Sequence, residues 1–216
     1  MGKSSNGPKG AVILAPTVIP TIIEATPTLE VLATPTPDPT AGWQSYTNTK
    51  YSFQFKYPSN YYLSDKLFKL QSDKDYSSAR AISIIKEANK EEGQPPTIYL
   101  NLIETQKSLQ EFIGDDHAKE INDWQSWKQA SGLDAVEPKI LSIEGIQLNS
   151  VYANKVERER IQTAPNHKET QYLFKKNNLL FVFSVNYGTL NPDTKEDGSD
   201  EKKTLDQILA TFRLLE

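Results

Sequence analysis

Residues 170–186 read Thr-Gln-Tyr-Leu-Phe-Lys-Lys-Asn-Asn-Leu-Leu-Phe-Val-Phe-Ser-Val-Asn. Two runs rich in aromatic and β-branched residues, Thr170–Lys175 and Leu179–Asn186, flank Lys176-Asn177-Asn178. Asn tolerates the positive φ that a tight turn requires. The stretch therefore predicts a β-hairpin with Phe181, Phe183 and Val185 on one buried face.

The same alternation recurs upstream. Tyr51, Phe53, Phe55 and Tyr57 alternate with Ser52, Gln54 and Lys56, and Pro58 ends that strand. Tyr61–Leu63, Leu67–Leu70, Ala79–Ile85 and Thr97–Ile103 are further strand candidates, as are Ile140–Ile143 and Gln147–Arg158. Between these groups, Ser108 and Glu111 have the spacing of a capping box. Leu109, Phe112, Ile113, Ile121 and Trp124 recur at helical spacing to about Lys128, with Gly114 expected to kink or split the helix. A second helix is predicted from Ser199. Asp200 and Glu201 sit in its first turn, where acids suit the helix dipole. Its buried stripe is Leu205, Ile208, Leu209 and Phe212. Strand pairs joined by short turns, with two helices, predict an α+β fold built on an antiparallel sheet.

Composition divides the 216-residue chain. The first 42 residues hold seven of the thirteen prolines and none of the 21 aromatic residues. Fixing a residue costs roughly 1–2 kcal/mol of backbone entropy, and Pro-interrupted aliphatics do not offset it. Residues 1–42 are expected to be a leader and a Thr/Pro-rich stalk, and residues 43–216 one domain. Pro fixes φ and drives the preceding Thr to extended conformations, so the stalk reads as a polyproline-like spacer at about 3.1 Å per residue. Such stalks are typical of exported, surface-tethered proteins and can carry O-linked sugars. Met1–Gly10 resembles a leader or trimmed flank, and a signal or membrane anchor is expected upstream. Leu29, Val31 and Ala33 alternate, which leaves open strand addition by Thr28–Ala33, to its own sheet or a partner's.

The net charge of −4 is mild and Lys and Arg are scattered. That argues against nucleic acid and anionic lipid as partners. With no cysteine there is no disulfide framework, thiolate metal site or Cys nucleophile.

The stretch from Trp43 through Tyr46, Asn48, Tyr51, Phe53, Phe55 and Tyr57 to Pro58 resembles the opening of PsbP-family domains. The stretch from Leu205 through Ile208, Leu209, Thr211 and Phe212 to Leu214 is similar to their close. The resemblance implies an α/β/α sandwich with a central antiparallel sheet flanked by helices. Known members include a photosystem II extrinsic subunit and a Ran-binding import factor, which act through protein contacts. No photosystem metal or chloride site carries over to named residues of this sequence, and fold alone does not transfer function.

Candidate sites are sparse. Asp115-Asp116-His117 falls on a helix face expected to be solvated, and His167 in a loop. Asp193, Asp197, Asp200 and Glu201 form a carboxylate cluster that weakly resembles a calcium loop. Lys195 stands at a ligand position and Thr204 where Glu is required. The commoner reading is an exposed loop with helix-capping acids. Glu157-Arg158-Glu159-Arg160 reads as a solvated sheet edge that discourages aggregation. Trp124 and Trp127 are the candidate partner contacts, one expected in the core and the other exposed. No nucleophile elbow or phosphate loop is present, and no cofactor is expected. The expected function is a non-catalytic binding or scaffold module at the cell envelope, with a protein or glycan partner. A hydrolase of envelope polymers using carboxylates such as Glu157 or Asp193 is the alternative, and a strand-swapping assembly subunit a third.

Overall fold

A computed structural model describes residues 38–92, 95–132, 136–149, 151–159, 168–188 and 195–216. The stalk's strand candidate, Asp193, Arg160 and His167 lie outside the described residues. The strands are β1 (Gln44–Asn48), β2 (Phe53–Tyr57), β3 (Tyr61–Ser64), β4 (Gln71–Ser72), β5 (Ile82–Lys86), β6 (Thr97–Glu104), β7 (Lys139–Leu148), β8 (Val151–Glu159), β9 (Lys168–Lys176), β10 (Leu179–Tyr187) and β11 (Arg213–Leu214). The helices are α1 (Leu109–Ser131) and α2 (Ser199–Thr211).

The expected hairpin is β9–β10, with Lys176 facing Leu179 and Asn177 at φ 55° in the turn. It forms the centre of a large sheet ordered β3-β5-β6-β10-β9-β8-β7. Every neighbouring pair along that path is antiparallel, and β4 pairs with β6 in parallel. Because side chains alternate across a strand, β10 sends Phe181, Phe183 and Val185 to one face and Leu180 and Val182 to the other. The first face carries α2 and the larger core. The second carries α1, through Phe112 and Ile113. The fold is therefore α+β, mostly antiparallel sheet with two helices.

The larger core is aromatic. Phe212 lies 4.9 Å from Phe174, 5.6 Å from Phe181 and 5.7 Å from Phe183, edge-on to each. Such pairs add about 0.5–1.5 kcal/mol each beyond the area they bury. Phe53 and Phe55 reach this core from a second, three-stranded sheet ordered β1-β2-β11. That small sheet was not anticipated: its partners are joined across most of the chain. Tyr51 and Ser52 turn into β2, Ser52 at φ 52°, so the strand begins at Phe53 rather than at Tyr51.

Other expectations shift. Leu67–Leu70 is not a strand. Leu67 and Leu70 are exposed, and the short strand is Gln71–Ser72. Ser78–Arg80 is a 3₁₀ turn that delays β5 to Ile82. The run Gln147–Arg158 is broken by a hairpin: Asn149 at φ 50° ends β7, and β8 starts at Val151. The capping box forms as expected, with Ser108 Oγ accepting from the Glu111 amide and Glu111 Oε2 from the Ser108 amide. Gly114 does not split α1, which runs unbroken to a left-handed Gly132. A Cβ at Gly114 would meet open space.

Candidate functional site

Register defines the face beneath α1. Arg158 on β8 pairs with Glu169 on β9, and Glu169 with Asn186 on β10. The next row is Val156, Gln171, Ser184 and Tyr99, and the next Asn154, Leu173, Val182 and Asn101. Phe112 and Ile113, at the start of α1, cover the apolar end of this face. The polar end lies beneath the middle of the helix, from Asp116 to Asp123.

Arg158 is 0% exposed, which overturns the reading of 157–160 as a solvated edge. β8 is an interior strand, and only β7 lies outside it. The Arg158 guanidinium donates to Asp116 Oδ2 at 2.6 Å and lies 3.7 Å from Glu120 Oε2, both on α1. A buried guanidinium is tolerated only with such counter-charges. The Asp115-Asp116-His117 face is therefore not simply solvated. Asp115 pairs outward with Lys107 at 3.0 Å, Asp116 inward with Arg158, and His117 is half-buried.

Between α1 and the Tyr76–Ser78 segment lies a cleft of about 570 Å³. Its floor is Tyr99, Asn101, Glu169, Gln171, Ser184 and Asn186. Asp116, Lys119, Glu120 and Asp123 form the helical wall, one turn apart on one stripe. Buried Gln71 fixes the opposite wall: its Nε2 donates to Asn101 Oδ1 at 2.8 Å and its Oε1 accepts from the Ser77 amide at 2.5 Å. The Tyr76 and Phe112 rings, 5.7 Å apart, join the two walls at one end. In the floor, Gln171 Nε2 donates to Glu169 Oε2 at 3.1 Å.

Sequence reasoning missed this cleft. Its residues come from the Tyr76–Ser78 segment and four further elements, β6, α1, β9 and β10, and no local spacing joins them. The available signal was polar residues at every second position of a core strand: Glu169 and Gln171 on β9, Ser184 and Asn186 on β10.

The residues singled out from the sequence stand elsewhere or differently. Trp124 and Trp127 are both half-buried on the last turns of α1, and neither belongs to the core. The expectation of one core tryptophan fails because α1 packs on the sheet through its first half. Trp124 carries Lys128 Nζ 5.1 Å above its ring, and Trp127 follows Asp123 by one turn on the cleft-facing stripe.

Asp197 accepts from the Ser199 amide at 3.0 Å, Asp200 is solvated, and Glu201 is fully buried. The reading of Glu201 as a surface capping acid is therefore corrected. It pairs with Lys86 at 3.1 Å, and Lys86 also meets Glu196 at 2.8 Å. Burial pushes the Glu201 carboxyl up, and Lys86 offsets only part of that. Among the described residues no three carboxylate or imidazole groups converge as a metal site.

Glu157 points to the α2 face, opposite Arg158. Thr170 Oγ1 and Tyr187 Oη donate to its Oε2 at 2.8 and 2.6 Å, and Lys155 and Lys202 lie 3.4 and 3.5 Å from its Oε1. Burial raises its carboxyl, but those donors and lysines outweigh it and hold the group below the usual range. The Tyr187 hydroxyl is pushed up to about 12 by burial and by this carboxylate. A carboxyl acting as general acid needs its pKa raised, the reverse of the Glu157 shift.

No protein-family model matches the sequence, and no curated protein matches it. Among solved structures, it is similar to the solution structure of cyanobacterial PsbP (CyanoP) from Synechocystis, with 14% identity and a TM-score of 0.51 over 85% of this chain and 98% of that one. The domain is thus PsbP-like in fold, as the resemblance at its two ends implied. Looser likenesses join it to LpqN, involved in cell envelope biogenesis of Mycobacterium tuberculosis (15% identity, TM-score 0.39, 83% of this chain and 87% of that one). A Bacteroides thetaiotaomicron structure gives 10% identity and a TM-score of 0.41 over 81% of this chain and 49% of that one.

Proposed function

We propose that this chain is a non-catalytic binding module that works outside the cytoplasm. Residues 1–42 hold the domain, residues 43–216, away from a surface, and the cleft beside α1 engages a protein or glycan of the envelope. One observation carries the reading. The cleft is a concave, preformed site whose floor mixes amide, hydroxyl and carboxylate groups, a lining that suits recognition of a polar ligand. Glu157, the acid that the sequence offered for chemistry, lies on the opposite face and accepts hydrogen bonds from Thr170 and Tyr187. The Thr/Pro-rich composition of the first segment supports the surface placement. Among the described residues no helix is long and apolar enough to cross a membrane.

The test is capture by the immobilised full chain from an envelope extract of its source, repeated with Ser184→Phe, which fills the cleft floor. Retained melting temperature with lost capture is the expected result. Capture that Ser184→Phe leaves intact would remove the cleft from the reading, and absence of any capture would remove the reading itself.

A further inference from the structure

We propose that the outer edge of β7 is a self-association surface, where a second copy of this chain adds its own β7 antiparallel and continues the large sheet. β7 ends the sheet path, and among the described residues no strand pairs with its outer side. Native edges are usually blunted by shortness, proline, charge or bulges. β7 runs for ten residues, with charges only at Lys139 and Glu144. Its bulge lies at Leu141, between Ile140 and Ser142, and leaves Ser142–Leu148 in regular register with β8. Six large hydrophobic side chains are exposed among the described residues. Four of them, Val136, Leu141, Ile143 and Tyr152, lie on β7, just before it or on its hairpin partner β8. Apolar exposure gathered at one edge marks a contact surface.

Backbone phase defines the partner. Leu148 pairs with Val151 across a two-residue turn, and such a turn closes on a pair that exchanges both hydrogen bonds. Alternate residues then face outward, so Gln147, Gly145 and Ile143 turn their N–H and C=O groups away from β8. An extended strand satisfies them. A second β7 fits in one register better than in its neighbour. A two-fold axis through Glu144 sets two carboxylates opposite each other, which is unfavourable. An axis through Gly145 sets Ile143 against Gln147, Glu144 against Ile146, and Gly145 against itself. Tyr152 lies across Gly145, its hydroxyl standing where a Cβ would be. The pairing thus brings two Tyr152 side chains together beside the axis and covers exposed Ile143. The axis is perpendicular to the sheet, so both α1 faces, each with its cleft, point the same way. Two clefts on one side allow bivalent engagement of a surface.

The test is sedimentation equilibrium of the full chain from about 10 µM to 1 mM, the span suited to a contact smaller than a standard interface. Amide exchange of the ¹⁵N-labelled chain is followed at both ends of that range. The expected result is a monomer–dimer equilibrium, with the Ile143, Gly145 and Gln147 amides exchanging more slowly in the concentrated sample. Ile143→Pro removes an outward donor and leaves the ladder to β8 intact. Two hydrogen bonds are lost across the two-fold axis, so the dimer dissociation constant should rise by about tenfold or more. Melting temperature checks the fold of this variant. If it does not fold, Ile143→Lys, a change at an exposed side chain, should weaken the dimer in its place. A chain that stays monomeric throughout would overturn the proposal, as would a dissociation constant unchanged in the folded variant. Slow exchange of the three amides in a monomer at every concentration would overturn it too, and would assign the edge to another segment of the same chain.

Discussion

Arg158, in an interior strand of the large sheet, donates a 2.6 Å hydrogen bond to Asp116 on the helix that covers it. Both side chains are buried, and Glu120 adds a second carboxylate to the same guanidinium. This charge group sits where the apolar packing under α1 ends and the cleft begins. It ties the middle of the helix to the polar floor. Removing one member of a buried ion group strands its partners, so Arg158→Met should destabilise the domain by about 3–5 kcal/mol. The triple change Arg158→Met, Asp116→Leu, Glu120→Leu should restore most of that loss. Chemical denaturation of the two variants measures both. A cost under about 1 kcal/mol for Arg158→Met would mean that packing of Phe112 and Ile113 alone seats the helix.

Glu157 predicts a pH signature. Its folded carboxyl titrates below the ordinary 4.5. A group depressed on folding stabilises above its unfolded pKa, and that contribution is lost as pH falls through the folded value. Glu157→Gln should therefore be less stable than the parent at pH 7, by about 1–2 kcal/mol for lost charge-assisted hydrogen bonds. The gap should close as pH drops from about 4.5 downward. Denaturation midpoints of the pair across pH 3–7 give the result, and a gap that is constant with pH would assign the effect to shape instead.

Two glycines should respond in opposite directions. Gly198, ahead of α2, has φ 76°, and a Cβ there would lie 2.3 Å from the carbonyl oxygen of Asn186. Gly198→Ala should cost more than the roughly 1–2 kcal/mol of a left-handed L-residue. Gly114 sits within α1 with nothing near its missing Cβ. Gly114→Ala should gain about 0.5–1 kcal/mol from helix propensity. Thermal melts of both single variants decide the signs.

Phe212 closes the aromatic core just past α2, against rings from β2, β9 and β10. Phe212→Ala should cost about 3–5 kcal/mol. It should also free β11 from β2, which amide exchange at Phe53 and Gln54 would register as faster opening.

The sequence made legible whatever local pattern controls. The β9–β10 hairpin follows from its alternation and from Asn177. The start of α1 follows from Ser108 and Glu111, and the stripe of α2 from Leu205, Ile208 and Leu209. What stayed hidden depends on distant partners. Arg158, between Glu157 and Glu159, reads as a surface charge until α1 brings Asp116 and Glu120 over it. The break at Asn149 was concealed because apolar residues continue on both sides of the turn. Trp124 looked like core because its spacing fits a buried stripe, but a helix longer than its support carries that stripe past the sheet. The cleft is legible only when β6, β9 and β10 are laid side by side.

The small sheet also has a mechanical meaning. Its outer strand β1 begins at Gln44, six residues beyond Asp38, and holds to β2 by five residue pairs. Both strands pack on the face that bears α2, whereas the cleft opens on the other face. Tension drawn through Asp38 reaches this five-pair ladder before it reaches the large sheet. A chain pulled from Asp38 is therefore expected to lose β1 first, with the floor formed by β6, β9 and β10 keeping its shape.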